Sequence, residues 1–228
     1  MKRKRTRRRS KSSKPASGGS SFTPTPKTES IAASDPLAYI QAPTVGSCAH
    51  TSFTLNNGGT SGSYYQLYPG TYCGGITISN GYVNFTAGTY ILAGGGFTAQ
   101  GGPLMKGTGI TFYNTTGTGG YKGITLTGGS TSNFSAPTSG TLEGILFFQD
   151  RAIPNSAEGS TVTGGSTSTF DGALYFPTTT LTYSGSSSLG GYTIVVADKI
   201  AISGSSTLGV NYSSLTNGSP IKGPVLAE

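Results

Sequence analysis

The chain has 228 residues, enough for one domain of ordinary size with a terminal extension. Glycine accounts for 37 residues and charged residues for only 10%. This composition excludes a helical protein with many charged residues on its surface and favours strands joined by tight turns. The net charge of +7 is uneven, because residues 1–27 hold ten of the fifteen Lys and Arg residues and no acid. Residues 28–228 hold the other five and all eight acids, a net charge of −3, so no nucleic-acid-binding face is expected on this part.

The first fourteen residues form a block of like charge, which is typically disordered. Three interpretations fit it: a solvated arm, an arm that binds nucleic acid or anionic lipid headgroups, and a nuclear-import address. The polyanion-binding hypothesis assigns its contacts to Lys2, Arg3, Lys4, Arg5, Arg7, Arg8, Arg9, Lys11 and Lys14. The residues that follow are Ser, Gly, Pro and Thr, and no apolar run approaches about 20 residues, so neither a secretory signal nor a transmembrane segment is predicted.

Three segments are predicted along the chain. Residues 1–34 are expected to form a disordered basic tail and a Ser/Gly/Pro-rich linker. Residues 35–63 are expected to form an N-terminal capping segment, which begins with a turn or short helix over one end of the stack. The repeated body then occupies residues 64–228.

Cys48 and Cys73 are the only cysteines. A zinc site would need two further ligands, and His50 is the only histidine, so a disulfide is predicted and no metal site. The bridge would close a loop of 25 residues and stabilise the fold by about 3 kcal/mol. It would also indicate an oxidising compartment.

One short phrase recurs six times, and its copies begin 21, 27, 36, 21 and 19 residues apart. A repeat of this length is one supersecondary unit that needs stacked neighbours to bury its apolar face. Short runs with period-2 alternation and glycine corners favour an all-β fold, specifically a single-stranded right-handed parallel β-helix (solenoid). The copies are residues 77–81 (TISNG), 98–102 (TAQGG), 125–129 (TLTGG), 161–165 (TVTGG), 182–185 (TYSG) and 201–204 (AISG).

Catalytic candidates are few. A lone histidine supports no Ser-His-Asp set, and the glycine runs lack the lysine of a phosphate-binding loop, so an enzyme is not predicted and no cofactor is expected. One charged cluster in adjacent repeats could serve acid–base chemistry on an acidic polysaccharide, although it also fits a solvated loop with a local contact between Asp150 and Arg151. Its members are Glu143, Asp150, Arg151, Glu158 and Asp171. The 13 Tyr and 10 Phe residues fit either core stacks or an exposed platform for sugars.

Several phrases resemble the C-terminal region of bacterial TadG-like, Flp/Tad pilus-assembly-related envelope proteins. They are residues 67–76 (LYPGTYCGGI), 85–96 (FTAGTYILAGGG), 144–151 (GILFFQDR), 172–177 (GALYFP), 197–200 (ADKI) and 218–226 (GSPIKGPVL). The resemblance covers roughly residues 35–228 and implies an exported, envelope-associated protein without known catalytic residues. Such proteins usually begin with a membrane anchor and a pilin-like segment, where this chain has the basic block.

The sequence and the resemblance together predict a non-enzymatic structural or adhesive module in the bacterial cell envelope or outside the cell. Its expected partners are pilus or envelope components or surface glycans. Two alternatives stay open. The first is a protein that binds or cleaves polysaccharide, with Glu143, Asp150, Arg151 and Asp171 as candidate catalytic residues. The second is binding of nucleic acid or an anionic membrane surface by the basic tail.

Overall fold

The computed structural model describes residues 34–127, 129–163, 168–184, 191–203 and 210–221. The described strands all lie in one unit of the chain, Pro36–Glu228. The predicted basic tail, including all nine residues assigned to polyanion binding, lies outside the described residues.

The fold is all-β, as predicted, and the described residues form fourteen strands in one sheet. Every pairing between named strands is parallel. The strands are Cys48–Leu55 (β1), Tyr65–Leu67 (β2), Gly70–Ile78 (β3), Tyr82–Phe85 (β4), Gly88–Ala93 (β5), Phe97–Ala99 (β6), Leu104–Thr108 (β7), Ile110–Thr115 (β8), Ile124–Leu126 (β9), Thr131–Ser135 (β10), Ile145–Gln149 (β11), Ser160–Thr163 (β12), Thr169–Ser184 (β13) and Thr193–Ser203 (β14).

Eight of these strands pair in a closed ring, in the order β3, β5, β8, β11, β13, β12, β9, β6 and back to β3. The prediction of a single-stranded right-handed parallel β-helix (solenoid) is therefore wrong, because this ring is a closed parallel β-barrel. The two long strands are the physical reason. One part of β3 pairs with β5 and another part with β6, while β13 pairs in the same way with β11 and β12. Strands β1 and β14 and the row β2–β4–β7–β10 are added to this barrel.

The repeated phrases pair with one another in parallel register. Thr77 is the partner of Thr98, which is the partner of Thr125. The series continues through Thr161 and Thr182, and ends at Ala201. The unequal spacings therefore reflect longer connections between strands, since the pairing itself keeps its register.

An aromatic stack fills the interior. Phe112 lies at its centre, with ring centroids 5.2 Å from Phe97, 5.3 Å from Phe85 and 5.4 Å from Phe147. All four side chains are at most 1% exposed. These rings form the core, as one of the two interpretations of the aromatic residues predicted.

A second apolar cluster joins segments outside the strands to β8, β11, β13 and β14. Leu37 and Ile40 belong to it, in a turn that begins at Pro36, and so does Leu215 near the end of the described chain. Their partners in the cluster include Tyr113 and Tyr175.

A column of close-packed glycines joins neighbouring strands where β3 passes from one set of partners to the other. Gly75 has a φ of +81°, and a Cβ added to it would collide with the carbonyl of Gly96. A Cβ on Gly96 would collide with the carbonyl of Gly123, and one on Gly123 with that of Gly159. The column therefore requires a residue without a side chain at each level.

Candidate functional site

Glu143 lies beside a small cavity of about 150 Å³. One carboxylate oxygen accepts a hydrogen bond of 2.7 Å from the backbone N–H of Asn217, and the other accepts one from the Asn217 side-chain amide. Tyr39 lines the same cavity and donates to the Pro220 carbonyl at 2.6 Å. Burial, and secondarily the negative charge of Glu143, raise the pKa of Tyr39. Glu143 therefore holds the segment around residue 217 in place.

Asp150 has a local structural role. It accepts hydrogen bonds from the Thr115 hydroxyl at 2.6 Å and from the Ala152 backbone N–H at 2.9 Å. Burial, followed by the charge of Asp150, raises the pKa of the neighbouring Tyr113 to about 12. These contacts fix the turn that follows β11.

Arg151 clamps the turn near the N-terminal end of the described chain. Its guanidinium donates to the carbonyl oxygens of Leu37 at 2.6 Å and Ile40 at 3.0 Å, and to the Tyr175 hydroxyl at 2.6 Å. It also lies 5.0 Å from the ring centroids of Phe148 and Tyr175, in cation–π geometry. Three donated hydrogen bonds and two ring contacts thus use the planar guanidinium to anchor the chain.

Asp171 lies in β13, next to Gly191 and Tyr192, which are the two residues that precede β14. It accepts hydrogen bonds from their backbone N–H groups, but burial outweighs these bonds and raises its pKa. Its Oδ1 and the Tyr192 hydroxyl are buried without a hydrogen-bond partner. Burial raises the pKa of Tyr192, and the charges of Asp171 and Glu143 contribute in the same direction.

The structure thus distributes the predicted charged cluster over different segments of the chain. Asp150 and Arg151 fix turns around β11, Glu143 binds Asn217, and Asp171 binds the start of the segment that leads into β14. Glu158 forms an exposed ion pair with Lys122 at 3.3 Å. Among the described residues, no three His, Cys, Asp or Glu side chains are grouped in a way that could hold a metal ion.

The disulfide between Cys48 and Cys73 is present and joins β1 to β3. The loop that it closes spans 25 residues, as the positions of the two cysteines predict. His50 stacks on the Tyr72 ring beside it, with centroids 4.8 Å apart.

The most regular outward surface is a row of six in-register threonines, which we call the threonine ladder. Adjacent strands lie about 4.8 Å apart, so the row presents a hydroxyl and a methyl group at that interval. Residues next to the ladder, such as Ile78, Leu126 and Val162, are fully buried, so the threonines point outward. The ladder consists of Thr54, Thr77, Thr98, Thr125, Thr161 and Thr182.

Sequence reasoning used five of these threonines as markers of the repeat, did not include Thr54, and missed their joint surface. The signal was available, because five of the six repeated phrases begin with threonine. Tyr192 and its buried hydroxyl were also missed. Nothing distinguishes this tyrosine in the sequence from the twelve others.

Comparison with protein-family models, curated proteins and solved structures found no match. In the described part of the chain, no helix has the length and apolar character needed to cross a membrane.

Proposed function

We propose that this protein is a non-enzymatic structural and adhesive module of the bacterial envelope that works beside a Tad-type pilus. The threonine ladder is the observation that carries the adhesive part. The envelope and pilus parts rest on the sequence resemblance, and the disulfide supports an oxidising location.

The contacts of the charged residues favour this function over catalysis. A general acid or base must reach a substrate proton, whereas Asp150 and Arg151 have their polar atoms committed to the turns that they fix. The threonine ladder, in contrast, carries no charged side chain and keeps the same spacing over six strands.

Such a row suits a repetitive surface glycan. Each hydroxyl both donates and accepts a hydrogen bond, and each methyl group covers a small apolar patch of a sugar ring. Single contacts of this kind are weak, but six on one rigid surface act together once the first has formed. A polymer with repeating hydroxyls would therefore bind better than its monomer.

Binding to isolated cell-wall polysaccharide and to sheared pili, measured separately by co-sedimentation, tests the proposal. We expect T98K/T125K to lose binding, because two charged side chains interrupt the ladder. The matched control is N133K on the exposed part of β10, away from the ladder, which should bind like the unchanged protein. Failure of the unchanged protein to bind either material, or equal binding by both variants, would contradict the adhesive role.

The basic block supports a second proposal, that residues 1–14 bind nucleic acid or anionic lipid. Nine of these residues are Lys or Arg. Binding should weaken steeply as salt rises, because each phosphate contact releases counterions. Deletion of residues 1–14 should abolish it, and salt-dependent binding that survives the deletion would refute the proposal.

A further inference from the structure

An apolar row runs parallel to the threonine ladder on the inward side and continues to both of its ends. It begins at Leu55, passes through five buried residues and ends at Ile202. The five interior members are at most 2% exposed, whereas Ile202 is 45% exposed and Leu55 is partly buried. The five interior members are Ile78, Ala99, Leu126, Val162 and Tyr183.

Each end of this row lies on a strand that has a neighbour on only one side among the described strands. Among the described strands, β1 pairs only with β3 and β14 only with β13. The first residues of β14 are covered, because Tyr192 forms a bridge with Val210 and Ile194 packs in the cluster with Leu215. The later part of β14 is exposed from Asp198 to Ile202. Unpaired edges of this kind are templates for pairing with another chain.

The two edges match each other. Ile200 is 47% exposed and pairs inside the molecule with the fully buried Leu181, while Phe53 pairs with Ile76 at the other end. Both edges therefore offer two apolar side chains separated by one residue, Ile200 and Ile202 on β14 and Phe53 and Leu55 on β1. They also have the same strand direction as every internal pair.

We propose that copies of this chain associate head to tail, with β14 of one copy pairing in parallel with β1 of the next. Ile200 then contacts Phe53 of the second copy, Ile202 contacts Leu55, and Ala201 lies beside Thr54. The contact repeats the register of the internal strands and buries four apolar side chains. It joins different surfaces of the two copies, so it builds open chains of molecules rather than a closed dimer.

A second copy is the favoured occupant because one molecule carries both complementary edges. Lys199 lies in the exposed part of β14 and forms an ion pair with Asp198 at 3.8 Å. A charged residue at an edge limits uncontrolled pairing. The register of β1 is also irregular between Thr51 and Phe53, which confines regular pairing to a few residues. We therefore expect reversible association that increases with protein concentration.

The inference goes beyond the proposed adhesive function, since it rests on the strand edges, where Thr54 is the one ladder residue at the contact. Sedimentation velocity of the full chain over a wide concentration range tests it. The unchanged protein should form dimers and longer species as concentration rises. I202K and L55K should each be monomeric, because each blocks one edge.

Mixing the two variants gives the decisive result. I202K keeps an intact β1 edge and L55K an intact β14 edge, so the mixture should form dimers and nothing larger. N133K should associate like the unchanged protein. Thermal unfolding checks that each variant is folded, and if L55K is not, I202K and I200K alone carry the test, since both replaced side chains are exposed.

A protein that stays monomeric at every concentration would overturn the inference, and would mean that another part of the chain or another protein covers these edges. Dimers that persist in I202K would overturn it in favour of a different interface. Loss of glycan binding by T98K/T125K with unchanged self-association would leave this inference intact, so the two proposals can fail separately.

Discussion

The two ends of the apolar row are stabilised in different ways. Strand β1 is largely exposed, its register shifts twice, and Ser52 has a φ of +46°. A disulfide and aromatic contacts of Tyr72 with His50 and Phe53 hold it to β3. Strand β14 is joined to β13 by ten register pairs, with one irregularity. A terminal strand with little burial is thus held either by a covalent bond or by the length of its pairing.

The largest expected loss of stability distinguishes the interior of the molecule from the two ends of the apolar row. Phe112→Ala should lower the free energy of unfolding by about 3–5 kcal/mol, because it removes a ring packed against Phe85, Phe97 and Phe147. Phe53→Ala, at a partly buried position in β1, should lower the free energy of unfolding by only about 1–2 kcal/mol. Urea unfolding measures both, and equal losses would contradict the distinction.

The next effect is specific to the β1 end. Replacement of Cys48 and Cys73 by serine should lower the stability by about 3 kcal/mol, because the unfolded chain loses a constraint over 25 residues. Hydrogen exchange should become faster in β1 and change little in β14. Two free thiols in the oxidised protein would contradict the bridge itself.

Arg151 provides a third way to fix a peripheral segment, through side-chain hydrogen bonds. Arg151→Lys keeps the charge but cannot reach the carbonyls of Leu37 and Ile40 and the Tyr175 hydroxyl together. We expect a loss of about 1–3 kcal/mol, and faster proteolysis near residue 40. Unchanged cleavage there would show that apolar packing alone fixes the turn.

The smallest effect concerns pH at the β14 end. Burial raises the pKa of Asp171 above 3.8, so the folded state holds a proton that the unfolded state releases. The protonated side chain therefore favours folding at low pH, and this contribution is lost as pH rises through the folded pKa. Asp171→Asn should flatten the dependence of the melting temperature on pH between the unfolded and folded pKa of Asp171, and an unchanged dependence would contradict this contribution.

The sequence was sufficient to predict the all-β class, the cysteine pair and the phrases that pair with one another. It was insufficient for the closure of the barrel. Short strands with glycine corners were predicted, but the chain remains in one strand from Gly70 to Ile78 and pairs with different neighbours on either side of Gly74 and Gly75. A local pattern shows where the backbone bends and not whether its pairing continues.

The candidate site shows a similar limit. Charge and spacing grouped Glu143, Asp150, Arg151 and Asp171, but Arg151 and Glu143 have partners far away in the sequence. Arg151 binds a carbonyl 114 residues earlier, and Glu143 binds Asn217, which is 74 residues later. Such contacts depend on how the peripheral segments pass over the barrel, and no local pattern encodes that path.

The glycine column constrains how this protein can diverge. A methyl group at Gly75, Gly96 or Gly123 would collide with the backbone of the adjacent strand, so we expect substitutions there to destabilise the fold. The connections between strands can become longer instead, since two of them already extend the repeat to 27 and 36 residues without a loss of register. Related chains should therefore differ mainly by insertions on the outside, around glycines that stay the same.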